Sequence, residues 1–85
     1  MGTKKKKPAP TLDLHGKKVD QVFDLVDQFI TKHQNKDRIR IMPGKGSGKV
    51  KAELLNYLKL GGYPWEYETL ESGQKNTGCL IIIMD

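Results

Sequence analysis

From Val19 to His33, apolar side chains stand at Val19, Val22, Phe23, Val26, Phe29 and Ile30, while Asp20, Asp24 and Asp27 fall between them. Steps of three and four place the apolar set on one face of a helix and the carboxylates on the other. Asn35 is a plausible stop. The flanking stretches have a different period. "TLDLH" at 11–15 alternates, which puts Leu12 and Leu14 on one strand face and Asp13 and His15 on the other, and Gly16 lets the chain turn. "RIRIM" at 38–42 alternates again, with Ile39 and Ile41 toward a core and Arg38 and Arg40 away from it.

A second helix is predicted from about Ser47 or Gly48, with Val50, Leu54, Tyr57 and Leu58 inward, ending at Gly61–Gly62 by a glycine stop. "WEYETLE" sets Trp65, Tyr67 and Thr69 against Glu66, Glu68 and Glu71, a half-exposed strand whose register is open at Leu70. "SGQKN" reads as a turn, and "TGCLIIIMD" as a central, well-buried final strand. The predicted order is β-α-β-α-β-β. It is an α/β fold, a two-layer sandwich of a four-stranded mixed sheet with two helices on one face. Residues 1–10, with no apolar period and two prolines, read as a disordered basic tail, leaving a domain over 11–85.

Length and charge narrow the partners. Eighty-five residues make one domain, and such a chain buries about 60–65% of its unfolded surface. The net charge is +5, but Lys4, Lys5, Lys6 and Lys7 carry four of the fifteen basic residues. With those set aside, eleven basic residues face ten acidic ones, so a polyanion-binding surface has to come from segregation of charge. Arg38 to Lys51 supplies it, holding Arg38, Arg40, Lys45, Lys49 and Lys51 with no acidic residue. The lysine tail reads as an arm for phosphates, an import signal or a solubilising extension. Cys79 is alone and no apolar leader precedes the domain, which points to a reducing cytoplasm. The longest apolar run, Leu80 to Met84, is too short for a membrane span.

"IMPGKGSGK" at 41–49 follows the second strand and opens the second helix. A triphosphate loop needs Gly, four residues, then Gly-Lys and a hydroxyl; here Gly44 is one residue too close to Gly48 and Val50 stands at the hydroxyl position. The dinucleotide pattern fails as well. What remains is general physics: glycines admit close backbone approach, and the N–H groups that open a helix favour an anion. By itself the loop reads equally well as a flexible, solvated connection. Asp13 and His15 supply a second constellation, two residues apart on one strand and so pointing the same way. A carboxylate beside an imidazole can orient it and raise its basicity, as a general base near neutral pH requires. In a right-handed strand-helix-strand unit this pair lies near the glycine-rich loop. His33 reads as a helix C-terminal residue. Tyr57, Tyr63, Trp65 and Tyr67 read as core or edge packing, with Tyr63 and Trp65 the more plausible base contacts. Asp13 and His15 would hold a divalent cation (Mg or Mn) only with water or substrate completing its shell, so no cofactor is assigned.

"LDLHG" at 12–16, "PGKGSGKVK" at 43–51 and the closing "GCLIIIM" together resemble the Smr, or small MutS-related, domain family over nearly the whole chain from Thr11 to Asp85. The resemblance implies a sandwich similar to the C-terminal domain of bacterial translation initiation factor three. It implies DNA or RNA binding and, in several members, nicking or RNA-cleaving endonuclease activity that depends on the first motif. Carried onto this chain, Asp13 and His15 become the catalytic candidates. Gly44, Lys45, Gly46, Gly48 and Lys49, with Arg40 from the preceding strand, become the substrate-phosphate candidates. Where many members carry histidine before the first loop glycine, this chain has Pro43, so a general acid has to come from water, Lys45 or Arg40. The expected partner is nucleic acid, RNA or DNA, branched or ribosomal forms included, and the expected state is a monomer. The alternative is a binding module without catalysis.

Overall fold

A computed structural model describes residues 9–44 and 48–84. The elements are β1 (Thr11–Asp13), α1 (Val19–Lys32), β2 (Arg38–Met42), α2 (Lys49–Gly61), β3 (Trp65–Thr69) and β4 (Lys75–Ile83). The strands form one sheet in the order β1-β2-β4-β3, with β1 parallel to β2 and the other two pairings antiparallel. The mixed sheet and the two helices expected from the sequence are both present, and β4 takes the central place its β-branched run suits.

Both helices cover one face. Val22, Val26 and Ile30 are one helical turn apart on α1, Leu54 and Leu58 on α2, and all five join a single cluster with Leu14, Ile39, Ile41, Leu80 and Ile82. Each is at most 1% exposed, a burial that stabilises by about 1.5–3 kcal/mol per large side chain. A truncation such as Ile39→Ala would therefore cost about 2–5 kcal/mol. The helices are also joined by the Tyr57 hydroxyl, which donates to Asp27 Oδ1 at 2.7 Å, while Phe23 meets the Tyr57 ring edge-on at 5.2 Å. The Tyr57 phenol is held well above its ordinary pKa, first by burial and then by this bond to a carboxylate.

Termini follow local chemistry. At the start of α1, Gln21 accepts the Lys18 N–H on its side-chain oxygen and donates its own N–H to the Lys18 carbonyl, satisfying two groups the helix cannot. Gly62, at φ 73°, closes α2 in the left-handed conformation. His33 caps α1 with its ring 4.6 Å from that of Phe29, in the helix-terminal place expected for it.

Three details depart from the sequence reading. β1 is three residues long, although the Leu14 N–H continues the ladder by donating to the Met42 carbonyl at 2.8 Å. Pro10, assigned to the tail, lies beside β2 and accepts the Arg40 N–H at 2.9 Å; the tail reading of residues 1–8 lies outside the described residues. Finally, β4 begins at Lys75, within the stretch expected to turn. Tyr67 pairs with Leu80 but Glu68 with Asn76, so Thr77, Gly78 and Cys79 form a bulge with no opposing step on β3. The Asn76 side chain holds the bulge, accepting the Gly78 N–H and donating to Glu68.

Candidate functional site

The site begins where β1 ends. Leu14 is fully buried and acts as an anchor, which leaves Asp13 and His15 exposed on either side of it. The Leu14 carbonyl accepts the Lys17 N–H at 3.0 Å, closing a turn with His15 and Gly16 at its centre. Gly16 has φ 77°, a conformation that turns of this kind assign to glycine. Asp13 Oδ1 accepts the main-chain N–H of His15 at 2.8 Å. The bond that the structure places here runs to the main chain, where the sequence led one to expect the carboxylate beside the imidazole. A carboxylate two residues before a turning N–H reaches that N–H by the local Asx geometry, so Asp13 fixes the backbone that carries the ring.

The second half of the site arrives on the parallel strand. Beyond β2 the chain passes Pro43 to Gly44, which has φ 86°, and a Cβ built there would stand 3.2 Å from His15 Cα and 3.6 Å from His15 Cβ. The two motifs thus touch backbone to backbone, as the strand-helix-strand connection led one to expect. Gly48, at φ 85°, caps the start of α2, and Lys49 is its first residue. Lys45 and Gly46 lie outside the described residues.

Between the two halves lies a cavity of about 370 Å³. Leu14, Val19, Pro43 and Val50 give it apolar walls, His15, Gly16, Gly44 and Gly48 contribute the two turns, and Lys17, Lys18 and Lys51 surround it with positive charge. Among the described residues, no acidic side chain lines it. Sequence reasoning passed over Lys17 and Lys18, and saw Lys51 only as part of the basic run. The available signal was adjacency: two lysines directly follow "LDLHG", and one stands two residues after Lys49. Lys51 is held in place, with Nζ 4.6 Å from the centroid of the Tyr67 ring and 3.4 Å from the Thr77 carbonyl oxygen.

Arg40 stands apart from this cavity, against the expectation that it joins the phosphate ligands. Its side chain lies on the sheet face away from the helices. There it donates to Glu68 Oε1 at 2.8 Å and to Thr11 Oγ1 at 3.2 Å, spanning β4 to reach β3. The bond to Arg40 holds the Glu68 carboxyl below the usual carboxylate range, and the same bond raises the guanidinium. Cys79 lies beside the pair, 1% exposed, and burial pushes its thiol up. Glu68 thus offsets part of the charge of an arginine that lies outside the cavity lining.

Among the described residues, no group of three or more His, Cys, Asp or Glu side chains is placed to hold a metal ion, and no helix is long and apolar enough to cross a membrane. A divalent ion at Asp13 and His15 would draw the rest of its shell from water and phosphate oxygens, as Mg²⁺ commonly does.

A two-layer sandwich whose first parallel strand pair joins an Asp-x-His turn to a glycine-rich helix start defines the class of protein. The Smr domain model matches residues 12–85, and the chain belongs to that family, whose members are in general nucleic-acid-binding modules. Among solved structures, the chain is similar to the Smr domain of NEDD4-binding protein 2, with a TM-score of 0.58, 18% identity, and coverage of 99% of this chain and 94% of that one. At that identity the likeness establishes the fold. Comparison with curated proteins finds no match.

Proposed function

We propose that this Smr domain is an endonuclease whose cavity holds a phosphodiester between the two motifs, with Lys17, Lys18, Lys51 and the backbone at Gly44 and Gly48 around the phosphate and His15 as general base. The observation that carries the reading is the packing of Gly44 on His15 at the mouth of a cavity whose lining, among the described residues, carries three lysines and no carboxylate. An anion drawn into that cavity comes to rest beside an imidazole on an exposed, anchored turn.

The chemistry then needs few parts. His15 takes a proton from water or from a ribose 2′-hydroxyl, the resulting oxygen forms a bond to phosphorus, and the bond from phosphorus to the leaving oxygen breaks. The lysines offset the charge that builds on the phosphoryl oxygens. The leaving oxygen takes its proton from water, since Pro43 offers no second imidazole at the loop. Asp13 keeps the His15 main chain in register with Gly44.

Two observations favour a second reading, a binding module without catalysis: Asp13 Oδ1 bonds the main chain rather than the imidazole, and Pro43 precedes Gly44. The two separate in one experiment. Labelled single-stranded RNA and nicked and supercoiled DNA are incubated with the protein, with and without EDTA, beside an Asp13→Ala/His15→Ala variant. Cleavage by the native chain that is lost in the variant supports the endonuclease. Cleavage unchanged in the variant is contamination, and binding without cleavage by the native chain leaves the module.

A further inference from the structure

A phosphate needs cations and N–H groups, and the rim of the cavity supplies them. Its walls are of another character. Leu14 and Pro43 form a buried floor; Val19, 36% exposed at the start of α1, and the half-buried Val50 complete an apolar lining that a phosphate or a sugar edge would leave uncovered. The volume, about 370 Å³, lies at the low end of cavities that enclose a small organic ligand, about 300–1,000 Å³. A duplex offers such a cavity nothing to fill it, because its bases are stacked inside and only its backbone projects.

Resting on the reading of this cavity as a nucleic-acid site, we propose that it takes one unstacked base, so that the substrate class is nucleic acid with an unpaired or extruded nucleotide. The base lies against Val19 and Val50, over the buried Leu14 and Pro43, and these aliphatic side chains shield its faces from water as they do in other base-extruding sites. Lys17, Lys18 and Lys51 hold the phosphates on either side, and the sugar comes to rest beside His15. Lys51, fixed over Tyr67 and toward the Thr77 carbonyl, directs one arm of the backbone out along β3 and β4. Cost supports the same assignment: extruding a base is least expensive where pairing is already absent, so a cavity of this size, with apolar walls between basic side chains, discriminates in favour of bulges, flaps and single strands.

The test uses three duplexes of one sequence, so that register cannot slide: fully paired, with one bulged nucleotide, and with that nucleotide made abasic. Binding is read by fluorescence anisotropy at several salt concentrations. The bulged duplex is expected to bind about tenfold more tightly than the paired one, and the abasic bulge to lose that gain. Val19→Ser/Val50→Thr, with its fold checked by NMR, is expected to lose the same gain and to keep its binding to the paired duplex. A second readout uses the native protein alone: 2-aminopurine at the bulge changes its emission on binding, and at a paired position does not. Equal, salt-dependent binding of all three duplexes would overturn the base cavity and leave the phosphate site standing. No salt-dependent binding of any of them would overturn both.

Discussion

Gly44 packs on His15 so closely that a Cβ on the glycine would lie 3.2 Å from the histidine's Cα. Two stretches that are 29 residues apart in the chain are thereby held at one fixed distance, and the cavity between them has its shape because of it. The contact favours glycine on two separate grounds, the tight space and the positive φ.

Those two grounds can be separated by comparison with Gly48, which has nearly the same φ and nothing within 4 Å of its notional Cβ. Gly48→Ala meets the backbone penalty alone, about 1–2 kcal/mol. Gly44→Ala meets that penalty and must also push His15 aside, for a total of about 2–3 kcal/mol. Thermal melts of the two variants should differ by several degrees, since 1 kcal/mol moves the midpoint of so small a domain by about 4–8 °C. Equal midpoints would refute the close packing.

Asp13 is expected to act through the main chain. Asp13→Asn keeps an acceptor for the His15 N–H and should melt near the native midpoint, with the His15 amide resonance little moved. Asp13→Ala loses the bond and about 1 kcal/mol. In a cleavage assay asparagine should retain more activity than alanine. An asparagine variant that is folded, unshifted and as inactive as alanine would mean that the charge itself takes part.

The cations of the cavity have a thermodynamic signature. For a single-stranded ligand each phosphate neutralised adds about 0.7 to the slope of log K against log salt. Lys17→Ala/Lys18→Ala/Lys51→Ala should therefore flatten that slope by about 2. Arg40→Met should leave it unchanged, because its guanidinium is engaged with Glu68 on the far face. A slope that drops with Arg40→Met would return that arginine to the interface.

The Arg40–Glu68 pair predicts an acid limb. Glu68 has a lowered folded-state pKa, so its contribution is present above the unfolded value, about pH 4.3, and is lost as pH falls through the folded value. Glu68→Gln should be less stable than the native chain at pH 7 by about 1 kcal/mol, with the gap closing in acid. Denaturant titrations from pH 7 down to pH 2 measure it. The same substitution loosens the cover over Cys79, so its buried thiol should label faster with iodoacetamide than in the native chain.

How much of this is legible in the sequence depends on range. Val22, Val26 and Ile30 announce their face by spacing, and Ile39 and Ile41 by alternation, because burial imposes a local period. The meeting of His15 with Gly44 is legible at one remove, since a strand-helix-strand unit brings the ends of its strands together. Arg40 marks the limit. Alternation placed it correctly on the face away from the core, but Glu68 is 28 residues on and across β4, and no local pattern announces a pairing of that kind. The bulge at Thr77–Cys79 is hidden in the same way, because it is a mismatch between two strands and a property of neither. Lys17, Lys18 and Lys51 escaped because a lysine's role is set by what it faces, which only the packing of α1 beside α2 decides.

β1 is three residues long and lies at the edge of the sheet, paired on one side only. An element with so little holding it opens long before the core does, and its amides should exchange with solvent far sooner than those of β4. The turn that carries His15 should therefore open and reset, about its Leu14 anchor, by fluctuations that leave the remaining three strands intact. A ligand bridging His15 and Gly44 would close that opening, so the slowing of exchange at Leu14 and His15 offers a measure of occupancy that requires no cleavage at all.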